Sequence, residues 1–300
     1  MKLLVVIAGP TAIGKTAFAI AIARHFNTAI LSADSRQIFK ETNIGTAKPS
    51  LQQLNEVTHY FINNRSINEA YNAGKYETEA TRLLAELFAE KNIAILCGGS
   101  GLYIDAVCKG FDEVPNADDA TRKYLTELFT TEGIAALQRM LKEKDPEYFQ
   151  QVDLNNPQRI MRALEVCLTT QKTYSSFRKA TVKARSFEIL KIALNTDRAI
   201  LYERINTRVD AMMNNGLLKE AETLYPFRKN NALQTVGYEE LFQHFEAKHT
   251  LAEAVSLIKQ NTRHYAKRQL TWFNKDKNYH WLQPHELQTA IALIEKILQP

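Results

Sequence analysis

Residues 9–16, Gly9-Pro10-Thr11-Ala12-Ile13-Gly14-Lys15-Thr16, satisfy the pattern G-x-x-x-x-G-K-[ST] at every fixed position. Such a loop is built to hold phosphate. Its glycines let backbone N–H groups curl inward, the start of the following helix adds positive potential, and Lys15 brings a mobile ammonium. Thr16 can hold a Mg²⁺ that bridges phosphate oxygens. A carboxylate, Asp34, closes a second apolar stretch at residues 29–33, where an open α/β sheet places its site. There it can serve as a general base or a metal ligand, or cap a helix, since an Asp-Ser pair often starts one. The apolar stretch 93–97 ends in Gly98-Gly99, not in the acidic metal ligand of an ordinary hydrolytic NTPase. The loop alone fits ATP or GTP and leaves a small-molecule or nucleotide kinase open, as well as an RNA-binding NTPase.

The elements that must position these groups follow from hydrophobic periodicity. Residues 3–8 form a continuous apolar, β-prone run, then the glycine-rich turn, then a helical pattern at 17–26. Short apolar stretches at 29–33, 59–62 and 93–97, with a one-faced helical repeat at 78–91, continue the alternation. Strands alternating with helices imply an α/β fold, a P-loop NTPase-like parallel sheet covered on both faces. Beyond residue 113 the pattern changes to charged helical segments broken at Gly133, Pro146 and Pro157. Strand character returns at 187–194 and 279–282, with helices at 198–213 and 251–272 between them. The expected organisation is a catalytic core of residues 1–113 and 186–300 carrying a helical insertion at 114–185. No internal repeat or low-complexity tract interrupts it.

Charge and cysteine usage narrow the function classes. The net charge of +5 is concentrated at residues 259–277, where Lys259, Arg263, Lys267, Arg268, Lys275 and Lys277 face one acid, Asp276. A concentrated basic stretch suits a polyanionic partner, although a basic helix is often only a solvated face. Tyr265, Trp272 and Phe273 are interleaved with it, either to stack on nucleic acid or to fill the core. The three cysteines, Cys97, Cys108 and Cys167, form no CxxC pair, which argues against a disulfide framework or a zinc site and for a reducing cytoplasm. No apolar run reaches the length of a membrane span, and the first eight residues are too short for a signal-peptide core.

Several blocks in order carry a more specific likeness: Gly9–Thr16, Ser32-Ala33-Asp34-Ser35-Arg36-Gln37, Ile44-Gly45-Thr46-Ala47-Lys48-Pro49 and Gly98-Gly99-Ser100-Gly101-Leu102-Tyr103. They continue with Asn156-Pro157-Gln158-Arg159, Arg162-Ala163-Leu164-Glu165-Val166, Val236-Gly237-Tyr238, and Thr262-Arg263-His264-Tyr265-Ala266-Lys267-Arg268-Gln269. With these blocks the chain resembles the bacterial tRNA dimethylallyltransferases (tRNA isopentenyltransferases) over nearly its whole length. Ser100 stands where the family usually has Thr, keeping the hydroxyl. Asn155-Asn156 replaces a common Asn-Asp, and the Cys/His module of eukaryotic relatives is absent from the sequence.

The resemblance implies transfer of a dimethylallyl group from dimethylallyl diphosphate to the N6 amine of adenosine 37, in tRNAs that read codons starting with U, with release of diphosphate. It implies that Gly9 to Thr16 cradle the diphosphate with Mg²⁺, that Asp34 is the base, and that the Ser100 hydroxyl contacts the adenine. Arg204 and Arg208, four apart on one predicted helix, share a face, and at least one is expected to reach the diphosphate. The tRNA-contacting set it implies is Asp34, Ser35, Arg36, Gln37 and Ser100 in the core, with Arg122, Gln158, Arg159, Ile160, Met161 and Arg162 in the insertion, against the anticodon stem-loop. The adenine must leave its stack to reach Asp34. A cytoplasmic monomer with no membrane partner is expected.

Overall fold

A computed structural model describes residues 1–299 apart from Asn116 and Ala180. Its sheet has six strands, all parallel: β1 (Leu3–Ala8), β2 (Ile30–Ser32), β3 (His59–Tyr60), β4 (Ile93–Gly98), β5 (Glu188–Leu194) and β6 (Tyr279–Leu282), in the order β3-β2-β4-β1-β5-β6. The continuous apolar run of β1 is explained by its central place. Val5 lies opposite Ile95 on one side and Leu190 on the other, and every residue of the strand is buried. Its side chains alternate between two cores, with Leu4, Val6 and Ala8 in one layer and Leu3, Val5 and Ile7 in the other.

Crossover helices follow the strands: α1 (Lys15–His25), α2 (Leu51–Glu56), α3 (Ala73–Glu90) and α4 (Gly101–Lys109). The periodicity at 78–91 proves to be only the later part of α3. Asn72 accepts the Lys75 N–H at 2.9 Å and so starts the helix more than a turn earlier. Residues 29 and 33 fall outside β2 and 61–62 outside β3, so both strands are shorter than their apolar runs.

The chain divides into two compact units, Met1–Cys108 with Arg185–Pro300, and Lys109–Ala184. The second unit is helical, with α5 (Asp119–Glu132), α6 (Ile134–Lys144), α7 (Pro146–Gln151), α8 (Pro157–Thr170) and α9 (Tyr174–Phe177) around a core that includes Leu125, Leu137, Leu141, Ile160 and Leu164. Gly133, at φ 74°, ends α5 and begins α6 in a conformation that favours glycine. Pro146 and Pro157 stand at first turns, where the missing N–H costs nothing. Buried Asp145 ties the unit together, accepting the Tyr148 N–H at 3.0 Å, the Ser175 N–H at 2.7 Å and the Ser175 hydroxyl at 2.9 Å. The first unit is completed by α10 (Arg198–Asn214), α11 (Leu217–Leu224), α12 (Tyr238–Phe245), α13 (Leu251–Phe273) and α14 (Leu287–Leu298). Among the described residues no helix is long and apolar enough to cross a membrane.

Candidate active site

Parallel strands end on one edge, so the loops after β1, β2 and β4 meet there. The chain leaves β1 through Gly9 at φ 144°, where a Cβ would lie 2.7 Å from the Leu194 carbonyl oxygen. Only glycine allows β1 to end that close to β5. Ala12 at φ 64° and Gly14 at φ 103° then wrap the loop onto the start of α1, which has no side-chain cap. Its first N–H groups are thus left to whatever enters the cleft beside them, a space of about 410 Å³ that Lys15 and Thr16 also line. Lys15 folds back, its Nζ donating to the Pro10 carbonyl at 2.8 Å. Burial, before any neighbouring charge, lowers its ammonium to about 8, with Arg208 pushing the same way.

Arg204 and Arg208 do share a face of α10, and both reach the loop. Arg204 donates to the Ile13 carbonyl at 3.4 Å and Arg208 to the Thr11 hydroxyl at 3.3 Å. Both line the same cleft. Of the loop residues, Pro10 and Ile13 have buried side chains, so these two can contribute backbone only.

Asp34 follows β2 and faces this cleft. Its Oδ1 accepts the N–H groups of Arg36 at 2.9 Å and Gln37 at 3.2 Å, so the side chain holds a tight turn and not a helix start, since the next helix begins only at Leu51. Gly98 explains the absence of an acid after β4: a Cβ there would lie 2.1 Å from the Ala33 carbonyl oxygen, so the ends of β2 and β4 are pressed together. Ser100 bridges them, its Oγ accepting the Ser35 N–H at 3.0 Å and donating to the Ser35 hydroxyl at 3.3 Å. Tyr265, on α13, lines the cleft as well, and burial pushes its phenol up to about 12, with Asp34 adding to the rise and Ser100 opposing it. Cys97 lines the cleft, but burial pushes its thiol to about 12, so it is no nucleophile.

Three positions mattered more than their sequence signal suggested. Gln269, buried on α13, accepts the Thr11 N–H at 2.8 Å and donates to the Gly99 carbonyl at 2.8 Å, tying the phosphate loop to the β4 end. Glu220, in α11, takes the backbone N–H groups of Asn43, Ile44 and Gly45 at 2.9–3.0 Å and the Tyr238 hydroxyl at 2.7 Å. That nest fixes the loop whose Thr46 and Ala47 carbonyls hold Gln37 at 3.2 and 3.1 Å. Tyr265 stood in the basic stretch as an aromatic of undecided role. Gln269 and Tyr265 lie in a block quoted above, as do Tyr238 and Gly45, but Glu220, 175 to 177 residues from its backbone partners, carries no local signal.

Other expected contacts are dispersed. Arg36 is held at the rim, donating to the carbonyls of Asn231 at 2.8 Å and Gln234 at 3.2 Å. Arg122, Gln158, Arg159, Ile160, Met161 and Arg162 belong to the helical unit, away in sequence from the strand-end set. Gln158 and Arg159 are exposed on the first turn of α8, while Arg122 and Arg162 both pair with Glu165, at 2.8 and 3.4 Å. Ile160 is fully buried in that unit's core, so its side chain cannot meet RNA. The basic stretch of α13 is likewise partly used internally: Lys259 bonds Asp210 and Arg263 bonds Asn206. Phe273 is core, and Trp272 packs over Gly101 and donates to Asp105 at 3.0 Å, which resolves both aromatics as structural.

A parallel sheet with a glycine-rich phosphate loop between its first strand and helix defines a P-loop-like α/β protein, here with an aspartate at the end of the next strand. A family model described as IPP transferase matches residues 37–276. The chain belongs to that family. It is 53% identical to the tRNA dimethylallyltransferase of Flavobacterium johnsoniae, over 94% of this chain and 93% of that protein. Among solved structures it resembles the full-length tRNA isopentenylpyrophosphate transferase from Bacillus halodurans, at 32% identity and a TM-score of 0.73, covering 99% of this chain and 96% of that one. A eukaryotic dimethylallyltransferase acting on tRNA shares the fold, with a TM-score of 0.81 at 24% identity, over 100% of this chain and 81% of that one. Membership of this family sets aside the kinase.

Proposed function

We infer that this chain transfers a dimethylallyl group from dimethylallyl diphosphate to the N6 amine of adenosine 37 in tRNA and releases diphosphate. The observation that carries the reading is the position of Asp34. It lies on both the phosphate cleft and a smaller, partly apolar pocket of about 110 Å³, and Thr11, Arg208 and Tyr265 border both spaces with it. A donor with an anionic head and a short branched tail spans such a pair of spaces.

In this reading the N6 lone pair attacks C1 of the donor while the C1–O bond breaks, and its electron pair stays on the diphosphate. The loop N–H groups, Lys15 and Arg208 stabilise the charge that develops there. The N6 proton passes to Asp34, because the amine, delocalised into the ring, is a weak nucleophile. Asp34 holds the turn through Oδ1, which leaves Oδ2 for that proton. Ser100, fixed by Ser35, contacts the adenine. Among the described residues no group of three or more His, Cys, Asp or Glu could hold a metal. The Thr16 hydroxyl in the cleft would help to hold a Mg²⁺ alongside the donor's diphosphate, and the ion would supply charge neutralisation there.

The exposed Gln158 and Arg159, with Arg122 and Arg162, are the RNA contacts we assign to the helical unit; Ile160, buried with its N–H bonded to the Asn156 carbonyl at 3.2 Å, only shapes the helix that carries them. Reading of an anticodon stem-loop is consistent with base-edge and phosphate contacts from such side chains. A tRNA substrate is consistent with a reaction in the cytoplasm, and we assign the mechanism to groups of a single chain. The test is incubation with unmodified tRNA, Mg²⁺ and radiolabelled dimethylallyl diphosphate, followed by nucleoside analysis. Label on the adenosine 3′ of the anticodon is expected. No label, with phosphorylation of a small molecule when ATP is supplied, overturns the reading.

A further inference from the structure

The pocket beside Asp34 is bounded, and its boundary has one notable member. The whole pocket is about 110 Å³, and Val209, Met212, Val236 and Ile258 form its apolar side. On the far side of Met212 lies a second, larger groove of about 440 Å³, lined in part by Ile44, Leu51, Leu54 and Ala211. Three residues border both spaces: Ala47, Arg208 and Met212. Ala47 has little side chain to withdraw, and Arg208 is held on the phosphate loop. Met212 is the one unbranched apolar side chain between the small pocket and the groove. It sits half-buried on α10, one turn beyond Arg208.

We propose that Met212 limits the donor to a single isoprene unit, by closing the pocket that receives the dimethylallyl tail against the apolar groove behind it. This rests on the prenyl-transfer reading and deepens it by naming the residue that sets donor length. A five-carbon tail ends against the Met212 side chain. A ten-carbon allylic diphosphate carries a second unit of the same chemistry, which has nowhere to go until that wall is withdrawn. Removing it joins the pocket to a groove whose Ile44, Leu51 and Leu54 surfaces suit hydrocarbon. The bonds made and broken are unchanged: N6–C1 forms, C1–O breaks, the proton goes to Asp34 and the electron pair to diphosphate. Only the length of the apolar tail differs.

The experiment compares dimethylallyl diphosphate with geranyl diphosphate as donors to unmodified tRNA, for the unaltered enzyme, Met212→Ala and Met212→Val. The unaltered enzyme should use the five-carbon donor and discriminate against the ten-carbon one. Met212→Ala should shift the ratio of kcat/KM values toward geranyl diphosphate by about tenfold or more, the scale on which apolar pockets discriminate. Met212→Val should shift it less, and both variants should lose some efficiency with the short donor through a higher KM. Met212→Val also guards against a failure of the alanine variant to fold. Transfer of the short group with an unmoved ratio in a folded variant overturns the proposal. So does equal use of both donors by the unaltered enzyme. An unmoved ratio with a raised KM for tRNA overturns it too, and assigns the pocket to the adenine. Absence of any prenyl transfer by the unaltered enzyme defeats the underlying reading instead.

Discussion

The strand-end site and the helical unit solve different problems with opposite materials. Around the phosphate loop, polar side chains are part-buried and committed: Gln269 bridges Thr11 and Gly99, Glu220 gathers three backbone N–H groups, and Ser100 joins two strand ends. In the helical unit the buried interior is apolar apart from the capping Asp145 and Glu165, and Gln158 and Arg159 at the start of α8 are exposed. A site that breaks a C–O bond needs donors fixed before substrate arrives, because reorganising them during reaction would consume the stabilisation they give. A surface that grips an RNA backbone needs charge within reach and little preorganisation, and its attraction is long-ranged and salt-sensitive. Substitutions in the first should therefore change rate, and in the second affinity.

Asp34→Asn tests that separation most severely. The amide oxygen can still accept the Arg36 and Gln37 N–H groups, so the turn is kept while the base is lost. We expect kcat to fall by about 10²–10⁴, the usual worth of a positioned base, with tRNA affinity and Tm little changed. Asp34→Ala loses the turn as well and should add a measurable fall in Tm. Near-full activity in the asparagine variant removes the assignment of Asp34 as base.

The next effect is one of pH. Burial holds the free enzyme's Lys15 ammonium at about 8. It is charged below that value and neutral above it, and only the charged form neutralises the donor's diphosphate. kcat/KM for dimethylallyl diphosphate should thus decline above pH 8, by up to about tenfold per pH unit if the charged form alone binds. Lys48 sits at about 8 for the same reason, but its ammonium is occupied by the Phe39 carbonyl, Asn43 and Asn63. Lys15→Arg stays charged throughout, so its profile should lose the alkaline limb even if its activity is low. A limb that survives in that variant belongs to another group.

Glu220→Ala asks whether the committed network is as stiff as it looks. Three backbone N–H groups and a buried tyrosine hydroxyl lose their acceptor together. A loss of roughly 1–3 kcal/mol is expected, read as a lower denaturant midpoint, with a raised donor KM because Thr46 and Ala47 are no longer held against Gln37. Unchanged stability would show that water replaces the carboxylate.

How much of this was legible beforehand depends on distance along the chain. The phosphate loop, β1 and the Asp34 position are local patterns, where residue type, spacing and apolar periodicity all report on the same few residues. The glycines at 98 and 99 were visible, but their cause was not: Gly98 exists because Ala33 lies against it, and Gly99 because Gln269 does. Gln269, Glu220 and Tyr265 act on residues 258, 175 and 165 positions away, respectively, or thereabouts. No periodicity encodes such a pairing; it exists only once parallel strands bring their ends to one edge. Ile160 shows the reverse case, a residue placed in the RNA-contacting set by its neighbours along the chain, whose own side chain faces the core.

Arg159→Ala carries the smallest expected effect and the cleanest sign. Its backbone N–H completes the Asn156 cap at 3.2 Å, which alanine preserves, and the side chain is exposed, so folding stability should hold within about 0.5 kcal/mol. If its guanidinium meets phosphate, tRNA affinity should fall and the slope of log Kd against log salt should become shallower by about 1. Arg122→Ala is the natural comparison. Arg122 is already paired with Glu165, whose side chain is only 8% exposed, so removing it also leaves that carboxylate to Arg162 alone. A change in Tm should accompany that variant and not the first. Affinity lost with an unaltered salt slope in Arg159→Ala would mean that the side chain reads a base. Affinity unaltered in both would take RNA binding away from this face of the helical unit and return it to the strand-end site.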